Sequence, residues 1–177
     1  MNIEVNDMRS CLALAASALG ALTLSTGWAE TNFNTSTAPS GAHYAKGAGE
    51  PICTVTGLTV TCGGTQIGGI GNNDANVLLT VSYSATVQCR NRGGQIVDVK
   101  TQQTTSSGSD SDTRVRNGQL TVATVSSTGP TDQQFEQRAS CPNGNWTKEV
   151  VDGTQAVTNY RYTLTFVGYN ESAIIVP

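Results

Sequence analysis

The run Asn76-Val-Leu-Leu-Thr-Val-Ser-Tyr-Ser-Ala-Thr-Val-Gln-Cys89 constrains the fold more than any other part of the chain. Val77, Leu79, Val81, Tyr83, Ala85, Val87 and Cys89 fall on one side of a two-residue period, and Asn76, Leu78, Thr80, Ser82, Ser84, Thr86 and Gln88 fall on the other. Such alternation belongs to an extended strand with one face in a core and the other mostly in water. Cys89 is in phase with the apolar side, so a bridge formed there is expected to be buried.

A second segment adds a register. Cys53-Thr-Val-Thr-Gly-Leu-Thr-Val-Thr-Cys62 alternates on both sides of Gly57-Leu58. Glycine at the first turn position is the chemistry of a type II′ hairpin. Counting outward pairs Thr56 with Thr59, Val55 with Val60, Thr54 with Thr61 and Cys53 with Cys62. The closing pair of a two-residue hairpin is hydrogen bonded, which makes Cys53 and Cys62 a non-bonded pair with Cα atoms about 4.5 Å apart. That spacing favours a Cys53–Cys62 bridge with both sulfurs on the Val55 and Val60 face, and it leaves Cys89 to pair with Cys141.

Further strands are expected at 95–105, 119–126, after Trp146, and at 159–167, where Tyr160, Tyr162, Leu164 and Phe166 alternate with polar residues. The run 173–176 adds an edge strand. Gly63 to Asp74 reads as a mobile glycine-rich loop, and 128–138 as a polar connection with room for a short helix. No segment repeats at 3.6 residues. About seven short strands with polar turns imply an all-β, antiparallel β-sandwich of immunoglobulin-like type.

The domain organisation follows from composition. Arg9 precedes an apolar run from Cys11 to Leu24, and Gly27-Trp28-Ala29 supplies small residues before a cut, so residues 1–29 read as a secretory signal peptide. A start at Met8 would remove Glu4 and Asp7 from its basic end. The apolar run is too short for a membrane anchor, which needs about 20 residues, and no membrane span is expected after cleavage. Residues 30–50 carry few large apolar side chains and read as a flexible N-terminal arm. Residues 51–177 are then the folded domain. Cys11 leaves with the leader, and the even set Cys53, Cys62, Cys89 and Cys141 suits an extracellular, oxidising compartment.

The chemistry that remains is sparse. A net charge of −3 without a basic run excludes nucleic acid as the expected partner. The single histidine, His43, lies in the arm with no Gly-x-Ser-x-Gly elbow to accompany it, so a hydrolytic triad is not expected. The cysteine spacings contain no Cys-x-x-Cys pair, so neither zinc nor any cofactor is expected. Ser109-Asp-Ser-Asp-Thr113 offers Asp110 and Asp112 as oxygen ligands for calcium. It lacks the twelve-residue pattern with a closing Glu, and reads as a polar loop. Asp98, Asp132, Glu136, Glu149 and Asp152 complete the carboxylates from which a glycosidase pair would be drawn, and they fall in loops or on solvent faces. Tyr160 and Tyr162 share the core phase, so Trp146, Tyr169 and Tyr44 are the aromatic residues left to contact a ligand such as a glycan.

Ser84-Ala-Thr-Val-Gln-Cys-Arg-Asn-Arg-Gly-Gly94 together with Cys141-Pro-Asn-Gly-Asn-Trp-Thr147 resembles a group of small secreted bacterial proteins that carry a signal peptide and a disulfide-bonded β domain. The resemblance spans roughly 51–167 and brings no established activity with it. It implies an extracellular bacterial protein of uncharacterised function. It also implies that the glycosylation-like triplets at Asn34, Asn145 and Asn170 are without meaning.

The function expected from these residues is that of a secreted, non-enzymatic module. It would act outside the cell as a surface-associated, structural or partner-binding protein, with an extracellular protein or a glycan as partner. A carbohydrate-binding module is the alternative, and a carboxylate-dependent glycosidase the further one. Cys141 to Trp146 is expected to be a structural corner, with Pro142-Asn-Gly-Asn145 reversing the chain and Trp146 starting the next strand beside the buried bridge.

Overall fold

The computed structural model describes residues 33–109 and 114–177. Its centre is β5 (Ala75–Arg90), the alternating run of the sequence, whose odd-numbered residues from Ala75 to Cys89 are all buried. Along one edge it pairs antiparallel with β6 (Ile96–Ser109), from Val77 opposite Ser109 to Arg90 opposite Ile96. Two strands share the other edge: β11 (Ala156–Phe166) covers Ala75 to Ser84, and β10 (Thr147–Val150) covers Val87 to Arg90. The short β12 (Ile174–Val176) continues the sheet beyond β11.

The gap between β10 and β11 is closed by a side chain. The Thr86 N–H donates to Thr154 Oγ1 at 3.1 Å, and the Thr86 carbonyl accepts from the Val151 N–H at 2.9 Å. A hydroxyl thus stands where a ladder partner would be, and β5 keeps its pairing through the turn between the two strands.

The hairpin forms in the expected register. β2 (Cys53–Thr56) and β3 (Thr59–Cys62) pair Cys53 with Cys62 and Thr56 with Thr59 around Gly57, whose φ of 57° fits the first position of a type II′ turn. The Gly63 N–H donates to the Ile52 carbonyl at 2.9 Å, which marks the neighbouring Cys53–Cys62 pair as the non-bonded one. Those two cysteines are bridged, with Cα atoms 3.9 Å apart.

Beyond Cys62 the structure departs from the loop expected at 63–74. Thr65–Gly68 is a strand, β4, and the expected strand at 119–126 is divided into β8 (Gln119–Val122) and β9 (Val125–Thr128). β3 pairs with β9 and β4 with β8, and the register runs on unbroken: Cys62 faces Val125 and Thr65 faces Val122. These four strands are therefore one antiparallel ribbon bent at Gly63-Gly64 opposite Ala123-Thr124. A Cβ on Gly64 would run into the carbonyl of Val122, so the bend needs glycine there. The ribbon is extended on one side by β7 (Arg114–Arg116), joined to β8 through Asn117 and Gly118. Both turn residues have positive φ, 51° and 74°, as a type I′ turn demands.

The segment expected as a flexible arm is built into this ribbon. β1 (His43–Tyr44) pairs with β4, Ala38, Ala42 and Ala45 are buried, and the Asn34 N–H donates to the Ala173 carbonyl at 2.7 Å. Alanine is often buried but carries little apolar surface, so a search for bulky apolar residues passes over these three.

In all, the described residues form twelve antiparallel strands where the sequence suggested about seven, and the excess lies in pieces of two to four residues. One buried cluster joins the large sheet, through Val81, Tyr83, Leu164 and Ile174, to the ribbon, through Val60, Cys62, Ile67 and Leu120. Tyr83 ties the layers with a polar link as well. Its hydroxyl donates to the Ser127 carbonyl on β9 at 3.3 Å, and Ser127 Oγ lies 2.8 Å from Thr105 Oγ1 on β6. No helix among the described residues is long and apolar enough to cross a membrane.

The one α-helix among the described residues, α1 (Asp132–Arg138), occupies the expected polar connection. Thr131 and Gln134 form a reciprocal capping box, and Phe135 is the helix's one buried residue. Gln103 Nε2 donates to the Gln134 carbonyl and Lys148 Nζ to that of Ala139, fixing α1 against β6 and β10. The chain then reaches Cys141, which is bridged to the buried Cys89 across a separation of 52 residues.

On the chain-entropy account this long bridge contributes about 4 kcal/mol and the nine-residue one about 3 kcal/mol. Paired Cys→Ala variants compared by urea unfolding are expected to show the larger loss for Cys89/Cys141. An equal or reversed order would contradict the assignment.

Candidate partner-binding surface

The aromatic residues left over in the sequence do not meet. Trp146 is half-buried and immediately precedes β10, where Thr147 lies opposite Arg90 at one end of β5. Tyr169 follows β11, whose last residue lies opposite Ala75 at the other end, and its ring stands edge-on to Phe166 at 6.3 Å. Sixteen residues of β5 separate the two, roughly 50 Å of extended chain. Tyr44 is half-buried too, its ring tilted against Phe33 at 5.3 Å. The three therefore cannot stack together on one ligand.

The titratable residues are equally scattered. His43 is exposed on β1, with Nδ1 2.7 Å from the Gly41 carbonyl. Asp98 and Glu149 flank Gln88 in one cross-strand row of the large sheet, both exposed on an open face. Asp132 accepts from Gln155 Nε2 at 2.8 Å, while Glu136 lies on α1 and Asp152 in the turn after β10. Asp110 and Asp112 lie outside the described residues. Among the described residues no three of His, Cys, Asp and Glu are grouped as a metal would require.

The structure presents instead a place that strand phase alone does not reveal. β11 carries a bulge between Val157 and Asn159, with the Thr158 hydroxyl donating to the Ser82 carbonyl at 3.1 Å. The extra residue resets the alternation, so Val157 and Tyr160, three apart, both follow the core face. There they meet the end of the hairpin layer. Val55, Val157, Thr158, Asn159, Tyr160 and Pro177 line a cleft of about 230 Å³. A wider depression of about 470 Å³ lies between Lys46–Gly49 and Thr121–Val122. Neither has an Asp or Glu side chain in its lining.

The cleft lies beside an open edge. The alternation set by the Ile52–Gly63 bond turns the main-chain groups of Cys53 and Val55 away from β3, and no strand among the described residues pairs with that side of β2. Edge strands are ordinarily shielded by charge, proline or a cover. Residues 52–62 hold no charged side chain, and Ile52 and Val55 are 58% and 48% exposed. The hairpin's turn and register signals were legible in the sequence. The bulge that brings Val157 and Tyr160 against Val55 carries no such signal.

Compared with known proteins, the chain matches no protein-family model, no curated protein and no solved structure.

Near Tyr44, the Tyr162 hydroxyl is fully buried and finds no hydrogen-bond partner among the described residues. Burial, helped by the neighbouring Tyr44 phenol, pushes its pKa well above the ordinary tyrosine value of 10.0. Below pH 10 both folded and unfolded chains keep this proton. Above it the unfolded chain loses the proton first, so stability falls as pH rises. Tyr162→Phe is expected to stabilise the protein by about 1 kcal/mol at pH 7, because an unpaired buried hydroxyl is removed. It should also flatten the alkaline decline seen in urea titrations. Destabilisation at both pH values would show that the hydroxyl is satisfied.

Proposed function

We propose that this protein is a secreted, non-enzymatic β-sandwich module of immunoglobulin-like type that works outside the cell by holding an extended segment of a partner protein against β2. The sandwich reading is supported by the bent ribbon, which shares one buried cluster with the large sheet. The extracellular reading is supported by the two bridges, which suit an oxidising compartment, by the leader-like N-terminus, and by the resemblance to small secreted bacterial proteins.

The observation that carries the binding role is the uncharged, unpaired edge of β2 next to the Val55–Tyr160 cleft. A strand added at such an edge gains affinity from main-chain hydrogen bonds, and specificity from a pocket that takes every second side chain. The Val55 face is the inward one, so an inward-pointing residue of the added strand would enter the cleft.

A carbohydrate-binding role is the second reading, favoured by Tyr160 standing beside the hydroxyl of Thr158 and the amide of Asn159. Size favours the first. Small-molecule sites usually enclose about 300–1,000 Å³, and the 230 Å³ here suits one apolar side chain better than a sugar chain.

Val55→Pro removes an N–H that points to the open side while sparing the β2–β3 bonds, and proline is tolerated on edge strands. Peptides selected by the purified protein from a displayed random library are expected to alternate apolar and polar residues. They should lose binding at least tenfold to Val55→Pro and to Val157→Asp. Glycan-array binding that survives both variants, with no peptide enriched, would contradict the proposal.

A further inference from the structure

The chain contains two Asn-Gly pairs, Asn117-Gly118 and Asn143-Gly144, and the fold treats them in opposite ways. We propose that Asn143 is a site of spontaneous deamidation in the folded protein, placed beside the Cys89–Cys141 bridge, whereas Asn117 is protected.

The chemistry requires the main-chain nitrogen of the following residue to reach the asparagine side-chain carbon. The Gly144 nitrogen, after giving its proton to hydroxide, forms a bond to Asn143 Cγ, and the Cγ–Nδ2 bond breaks with nitrogen leaving as ammonia. Water then opens the five-membered imide at either carbonyl. Opening at one gives aspartate, and opening at the other gives isoaspartate, which carries an extra methylene in the main chain. The net reaction is amide plus water to carboxylate plus ammonium, with no oxidant or reductant.

Three features at Asn143 favour that sequence. The Asn145 N–H donates to Asn143 Oδ1 at 3.1 Å, folding the side chain back over the Gly144 peptide. The same bond polarises the carbonyl under attack and would stabilise the oxyanion that forms on addition. Gly144 has no Cβ, and the space where one would stand is empty to 4 Å, so nothing hinders ring closure. Residues 140–146 lie between α1 and β10, outside every strand ladder, and Asn143, Gly144 and Asn145 are all exposed.

Asn117 precedes a glycine whose Cβ position would touch the Gly71 main chain at 3.8 and 3.9 Å, and it lacks the freedom to use that glycine. Both residues of its turn are held at positive φ, and Arg116 pairs with Gln119 across it. The Gly118 carbonyl also accepts from the Ile70 N–H at 3.2 Å. Rotating the Asn117–Gly118 peptide into the ring would break the end of the β7–β8 ladder. Deamidation at Asn143 disturbs no strand ladder, only the long 3.4 Å turn bond from the Trp146 N–H to the Asn143 carbonyl. It would place a new negative charge between the bridge and Trp146.

Incubating the folded protein at pH 8 and 37 °C in ¹⁸O-labelled water, followed by non-reducing peptide mapping, tests the assignment. Label is expected at residue 143, as aspartate and isoaspartate, at least tenfold faster than at residue 117, a barrier difference of about 1.4 kcal/mol. The reduced and denatured chain should label both positions at similar rates. Gly144→Ala, which adds a methyl group into open space, should slow the reaction while leaving thermal unfolding unchanged. Asn145→Ala, which keeps the donating N–H, should leave the rate as it is. Equal labelling of Asn117 and Asn143 in the folded state, or no label at Asn143, would overturn the proposal.

Discussion

Burial of one face of β5 is the constraint from which the rest of the structure follows. Eight side chains from Ala75 to Cys89 leave water together, and at about 25 cal/mol per Å² of apolar surface this is a large share of what a small domain has to offset its chain entropy. A strand this long needs partners on both edges. The chain supplies them with β6 on one side and with β11, Thr154 and β10 in succession on the other. The bent ribbon shares one buried cluster with this sheet, and the Tyr83–Ser127–Thr105 link ties β9 to β5 and β6.

Much of this was legible because period two is a strong signal where strand faces differ in polarity. The alternation of β5, the hairpin register and hence the Cys53–Cys62 bridge could be read residue by residue. What escaped were features whose cause lies in another part of the chain. Gly63-Gly64 looks like loop composition, but opposite Ala123-Thr124 it is a hinge within a continuous ribbon. Ala38, Ala42 and Ala45 look too small to anchor a segment, yet all three are buried, on either side of the short pairing of β1 with β4. Asn117-Gly118 is a strong local signal that was available, and it marks the β7–β8 turn.

The candidate surface shows the same division. That Val55 faces the hairpin's inner side follows from counting outward from Gly57. That it ends beside Val157 and Tyr160 depends on the bulge at Thr158, and on how far the ribbon overlaps the large sheet. Trp146, Tyr169 and Tyr44 stood out by type alone, and the length of β5 keeps Trp146 apart from the other two. The Cys141–Trp146 corner carries its chemistry in the main chain, at Asn143-Gly144, more than in its aromatic ring.

The account makes β5 the most protected strand and the outward groups of β2 among the least protected within any strand. Native-state hydrogen exchange measures both in one experiment. The amides of Val77 to Cys89 are expected to exchange only through global unfolding, while those of Cys53 and Val55 exchange at rates close to an open chain. Slow exchange at Cys53 and Val55 in the isolated protein would show that the edge is already occupied. Fast exchange along β5 would contradict the claim that the fold is organised around it.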